Sequence, residues 1–223
     1  MPDPVVAIVA GRGQHAYGDA GELLNRLRDH EPAPHRVVVL DAVRDPDTRP
    51  WPEGPDGPDV LRAPGGSATA ALVTALAHAH ACAPGAAVVW LDARTDLRAP
   101  LLGVLDGLRA DDGLLRVDGP AWHCEAVPAR VPRLGRPAIA ATLRELRREA
   151  AAHGRVVAAA TEPRPALVLT APLVAALAAR RLLRDPERWR HAPLGPRSLA
   201  ELLVAATGLA ARDVTCLPAP VSA

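Results

Sequence analysis

The feature that most constrains this chain is a rhythm. Short runs of apolar, β-branched residues recur, each breaks at a glycine or an aspartate, and each is followed by a helical pattern. Residues 5–10 run into Gly11, residues 36–40 end at Asp41, and residues 86–91 end at Asp92. Runs that are apolar throughout, rather than alternating, suit parallel strands buried on both faces. Between the first two, Leu23, Leu24 and Leu27 share a helical face, and Pro32 and Pro34 stop the helix. Strand, turn, helix and strand in that order make a βαβ unit with a right-handed crossover.

The rest of the chain continues the pattern with changes. Residues 42–59 are crowded with proline and aspartate and are predicted to form an exposed loop. A short extended piece at 60–62 leads into Ala63-Pro64-Gly65-Gly66-Ser67, and residues 68–81 then read as an alanine-rich helix with Ser67 as its N-cap. Residues 100–108 look helical. Beyond Gly113 an extended stretch is expected at 121–127, an arginine-rich helix at 138–153, short strands at 156–160 and 167–170, helices at 171–184 and 198–207, and a last extended piece near Val214. The expectation is one domain over residues 1–223, an α/β fold of the three-layer α/β/α sandwich type. Its sheet should be mostly parallel, with ligands at the carboxyl ends of the strands.

Composition removes several functional classes. A formal net charge of +1 gives no field that would gather nucleic acid or anionic lipid. All basic side chains are arginines or histidines, so chemistry that needs a lysine ammonium is excluded. Cys82, Cys124 and Cys216 stand far apart without Cys-x-x-Cys spacing, which points to reduced, partly buried thiols rather than zinc or disulfides. The first residues show no secretory pattern and no apolar run is long enough for a bilayer, so a cytoplasmic protein without membrane contact is expected. His78 and His80 sit two apart in a helix, and His123 beside Cys124 falls on opposite faces of a strand. Neither pair has metal-ligand spacing. The helix at 138–153 mixes arginine with glutamate and reads as a solvated face.

Three constellations carry candidate chemistry. The first is the turn after the first run, Ala10-Gly11-Arg12-Gly13-Gln14-His15-Ala16-Tyr17-Gly18. Its small residues let backbone N–H groups approach a phosphate, while Arg12 and His15 supply positive charge. It is neither a Gly-x-Gly-x-x-Gly fingerprint nor a Walker loop, and a tight βα connection is the structural alternative. The second is Gly65, Gly66, Ser67 and Thr69, where two glycines open a backbone face to a base or ribose and the hydroxyls offer hydrogen bonds; helix capping alone also explains Ser67. The third is Asp92, at the end of a central run, where a carboxylate can hold magnesium over nucleotide phosphates or act as a turn residue.

Taken in order, these segments resemble the methylerythritol phosphate cytidylyltransferases, within the wider nucleotide-diphospho-sugar transferase-like (glycosyltransferase-A-like) group. The similarity lies in Ala7-Ile8-Val9-Ala10-Gly11-Arg12-Gly13, in Pro64-Gly65-Gly66-Ser67 and in Val88-Val89-Trp90-Leu91-Asp92-Ala93-Arg94. It continues in Gly154-Arg155-Val156-Val157, Leu167-Val168-Leu169-Thr170-Ala171 and Ser198-Leu199-Ala200-Glu201-Leu202. The resemblance implies nucleotidyl transfer from CTP or another NTP to a phosphorylated polyol or sugar with release of pyrophosphate, a place in isoprenoid biosynthesis, and a homodimer. Ala10, Gly11, Gly13, Gly65, Gly66, Ser67 and Thr69 would bind the nucleotide, Arg12 and His15 would act in catalysis, and Asp92 would hold Mg2+. The chain departs from the family at His15, where the family has arginine, and at Glu22, where it has lysine. A second aspartate is missing beyond Val127-Pro128. A degenerate, non-catalytic relative that binds a nucleotide or a protein partner is the alternative these departures leave open.

Overall fold

The computed structural model describes residues 2–10, 16–31, 35–42, 58–97, 100–118, 123–124, 137–155 and 166–216. In chain order the elements are β1 (Val5–Ala10), α1 (Ala16–His30), β2 (Arg36–Asp41), β3 (Asp59–Arg62), α2 (Ala68–Cys82), β4 (Val88–Asp92), β5 (Thr95–Asp96), β6 (Asp112–Asp118), β7 (His123–Cys124), α3 (Pro137–Ala152), β8 (Ala166–Leu169), α4 (Ala171–Ala179), α5 (Pro196–Thr207) and β9 (Ala210–Thr215). Short 3₁₀ segments occupy Pro64–Gly66, Leu102–Gly107 and Pro186–His191.

Seven strands form one sheet in the order β3-β2-β1-β4-β8-β6-β9, and β5 pairs with β7 in a separate two-stranded ribbon. β1 runs parallel to β2 and β4, β2 to β3, and β6 to β9, while β8 is antiparallel to both its neighbours. The sheet is therefore mostly parallel, as expected, with one inverted strand.

Alternation along the strands divides the interior in two. Val5, Ala7 and Val9 of β1, with Val38, Leu40, Val88, Trp90, Leu167 and Leu169, face a core roofed by α2, α3, α4 and α5. Val6, Ile8 and Ala10, with Val39, Val89, Leu91, Val117 and Val168, face a second core roofed by α1 and by Leu101, Leu102 and Leu105. Helices thus cover both faces of the sheet, which is the three-layer α/β/α sandwich. β1 is buried along its whole length, which is why its sequence reads as a continuous apolar run.

Local sequence accounts for most boundaries. Ser67 caps α2 by accepting from the Ala70 N–H at 3.3 Å. α2 lacks a polar stripe because it lies under α4, α5 and the Pro186–His191 turn as well as on the sheet. Gly208, at φ 76°, ends α5 in the left-handed conformation that glycine favours.

Several expectations shift. Residues 100–108 give a 3₁₀ turn at Leu102–Gly107 rather than an α-helix, and α4 stops at Ala179 rather than at 184. β6 was not legible in the sequence. Cys82 is exposed rather than partly buried. The strand expected at 156–160, and all of the stretch expected at 121–127 except His123–Cys124, lie outside the described residues. Among the described residues no helix is long and apolar enough to cross a membrane.

Candidate functional site

In the order β3-β2-β1-β4 the chain moves to one side of β1 for β2 and β3, then returns to its other side for β4. The helices that follow β1 and β3 lie on opposite faces, α1 in one core and α2 in the other. Connections that part in this way leave a crevice at the carboxyl ends of the strands, where open α/β sheets bind ligands. Ala10, Asp41 and Asp92 end β1, β2 and β4 at that crest, with Ala10 opposite Asp41 and Val9 opposite Asp92.

Ala10 is fully buried and its carbonyl accepts from the Ala42 N–H at 3.0 Å, so its side chain faces the core. Gly11, Arg12, Gly13 and His15 lie outside the described residues. α1 begins at Ala16, so Tyr17 and Gly18, read above as part of the glycine-rich turn, belong to the helix. The Tyr17 hydroxyl donates to the Asp41 carboxylate at 3.2 Å, tying the first turn of α1 to the end of β2.

Asp92 is half-buried, and its Oδ1 accepts from the Arg94 N–H at 3.0 Å, the bond of an aspartate-led turn. Its carboxyl titrates above the ordinary aspartate range. Loss of solvent is the main cause and outweighs the Arg94 N–H and the guanidinium charges of Arg94 and Arg197, while the Asp19 carboxylate pushes the same way as burial. Arg94 in turn lies 3.6 Å from Asp19 through its Nε. The site is thus a charged group of four drawn from α1, the end of β4, the turn that follows, and α5. A carboxylate held out of water against its own preference is a recognised mark of functional sites. Among the described residues no three or more His, Cys, Asp or Glu side chains stand together as a metal cage. Magnesium does not need one, since it binds through one or two carboxylates together with phosphates and water, and Asp92 fits that requirement.

The second constellation is committed to the protein's own structure. Gly65 and Gly66 have φ of 59° and 61°, so both need glycine for their backbone, and the stem of Arg190 lies across Gly65. Ser67 is the α2 cap. Thr69 is buried, and its hydroxyl donates to the Leu194 carbonyl at 2.6 Å, anchoring the approach to α5. The structure therefore brings Ala10 and Asp92 together at adjacent strand ends. It sets Gly65, Gly66, Ser67 and Thr69 beyond β3, at the far side of the crest.

Sequence reasoning missed Asp19, Arg94, Arg197, Asp41 and Arg190. Arg94 and Asp41 carried a signal, since both flank apolar runs; Asp19, Arg190 and Arg197 are brought in only by folding. His78 lies on α2 with its Nε2 3.5 Å from Asp59, beside exposed Cys82, in keeping with a surface role.

No family model matches this chain, and no curated protein matches it. The methylerythritol phosphate cytidylyltransferase resemblance therefore finds no support there. Among solved structures, the apo form of mouse xyloside xylosyltransferase 1 is similar at a TM-score of 0.41 and 10% identity, over 96% of this chain and 85% of that one. At that score the likeness adds nothing to the site, and the α/β assignment rests on the strand order and the two helix-covered faces of this chain.

Proposed function

We propose that this chain is a nucleotide-dependent transferase that binds an NTP across the carboxyl ends of β3, β2, β1 and β4, with nucleotidyl transfer from CTP to a small phosphorylated polyol or sugar as its reaction. The observation that carries the reading is Asp92, a desolvated carboxylate at the strand end beside β1, within electrostatic reach of Arg94 and Arg197. The Arg94 N–H and the charges of Arg94 and Arg197 do not fully offset its loss of solvent, and a bound cation would add to what they supply. Asp92 would hold Mg2+, which when bound offsets phosphate charge and so favours attack at phosphorus. Arg94 and Arg197 would add fixed positive charge beside it, as they must in a chain without lysine. Arg12 and His15, in the connection after β1, would meet the phosphates, with Gly11 and Gly13 as the backbone cradle.

The test is calorimetry with CTP, GTP, UTP and ATP in the presence of magnesium, followed by pyrophosphate release against a panel of phosphorylated polyols and sugars. Binding with metal-dependent release is the expected result. Binding without release under any acceptor selects the non-catalytic relative, and no binding of any nucleotide removes the proposal.

A further inference from the structure

Arg190 stands beyond β3, apart from the charged group around Asp92, and its stem covers Gly65. A Cβ on Gly65 would stand 3.1 Å from Arg190 Cδ, so the guanidinium stem packs tightly across a glycine whose φ of 59° already favours that residue. The Pro64–Gly66 turn that carries Gly65 follows β3, at the same end of the sheet as Ala10, Asp41 and Asp92. Three strand spacings separate β3 from β4, roughly 14 Å, a span suited to a nucleotide lying along the crest with its phosphates at β1 and β4.

The Arg190 fork is held from both sides. Its Nε donates to His191 Nε2 at 2.8 Å, and Nη1 is paired with Glu187 one turn earlier. The Pro186–His191 turn is itself fixed by Trp189, which is buried and donates through Nε1 to the Leu182 carbonyl at 3.2 Å. Arg190 keeps about a third of its side chain exposed (36%), and Gly65 beneath it is exposed. Nε and part of Nη1 are engaged, and the remaining N–H donors of the fork have no partner among the described residues.

We infer that Arg190 reads the base of the nucleotide, selecting bases that present two adjacent hydrogen-bond acceptors, cytosine or guanine, over uracil and adenine. This rests on the nucleotide reading above. A guanidinium offers donors only, in a planar pair. Cytosine presents N3 beside O2, and guanine presents O6 beside N7, so either edge accepts both donors. Adenine sets an amino donor beside N7, and uracil sets an N–H between its carbonyls, so each turns a donor toward a donor and accepts only one of the two hydrogen bonds.

The experiment measures the Kd of CTP, GTP, UTP and ATP, and of inorganic tripolyphosphate, for the wild type, Arg190→Ala and Arg190→Lys, all with magnesium. The wild type should prefer CTP or GTP to UTP and ATP by about tenfold or more. Both variants should bind the four nucleotides within about threefold of one another, with tripolyphosphate affinity unchanged. Arg190→Lys keeps the stem over Gly65 and the positive charge, so it answers the question if Arg190→Ala fails to fold. A wild type that binds all four alike, or a variant that keeps the preference, overturns the role of Arg190 and leaves the nucleotide site standing. No nucleotide bound by the wild type overturns both.

Discussion

Replacing Asp92 by asparagine separates function from stability at a single atom. The substitution keeps an oxygen to accept the Arg94 N–H, which holds at 3.0 Å, and keeps the side-chain volume. It removes the attraction to Arg94 and Arg197, but also the repulsion from Asp19 and, above all, the loss of hydration that is the largest influence on this carboxyl. The net sign at neutral pH is therefore stabilising, by about 0.5–1 kcal/mol, the usual gain when a functionally placed but unfavourable group is removed. For a chain of this size that raises Tm by roughly 1–4 °C. Because the folded-state pKa lies above the ordinary 3.8, the wild type loses stability as pH rises from 3.8 through the folded value, and asparagine does not. The advantage of the variant should be full above that window and vanish below it. Thermal melts of both proteins from pH 3.5 to 8, with pyrophosphate release measured alongside, check the pair of effects. A variant that melts lower than the wild type at pH 7.5, or that keeps its turnover, would refute the reasoning.

Two further substitutions test the far side of the sheet. Asp112 is 1% exposed and accepts from Arg212 Nε at 2.8 Å, Arg212 Nη2 at 2.8 Å and the Arg109 N–H at 2.8 Å, so its carboxyl is held below the ordinary range, chiefly by Arg212. Asp112→Ala should lower Tm at pH 7 by several degrees, about 2 kcal/mol after allowing for the part of Arg212 that reaches solvent. The wild-type advantage is present above pH 3.8 and fades as the pH falls through the depressed folded value, so equal melting of the two proteins at pH 7 contradicts it. Gly113→Ala would set a Cβ 2.7 Å from Leu209 Cβ and 3.2 Å from Val204 Cγ1, and should cost about 1–3 kcal/mol as a fall in the urea midpoint; an unchanged midpoint would mean that β6 and α5 yield more easily than their packing implies.

The first half of the fold was legible because β1, β2 and β4 are central or nearly so. Both their faces are apolar, and a continuous run is a signal that survives without any knowledge of neighbours. β6 was hidden for the opposite reason. Its charges are neutralised by residues far along the chain: Asp112 by Arg212, and Arg116 by Glu201 at 2.8 Å with Asp213 beyond. A window of sequence sees only unpaired charge there. The inversion of β8 was equally invisible, since Ala166, Leu167, Val168 and Leu169 would look the same in either direction. At the site, Asp92 could be named from the run that precedes it. Asp19 and Arg197 could not, because they approach it from α1 and α5, and no spacing rule connects elements that meet only after the sheet has formed. Thr69 was seen as a free hydroxyl because Leu194, which accepts from it, is equally remote.

The sheet's division of the interior means that neighbours in sequence live in different compartments. Ala7 and Ile8 are bonded to each other, yet Ala7 shares its surroundings with helices from the far end of the chain and Ile8 shares its own with α1. Substitutions at two such adjacent positions should act nearly independently, whereas Val9 and Leu203, distant in sequence, answer to the same packing. An engineer could therefore redesign the layer beneath α1 without retuning the one beneath α2 and α5. The strand ends that carry Ala10 and Asp92 would stay fixed by whichever layer was left alone.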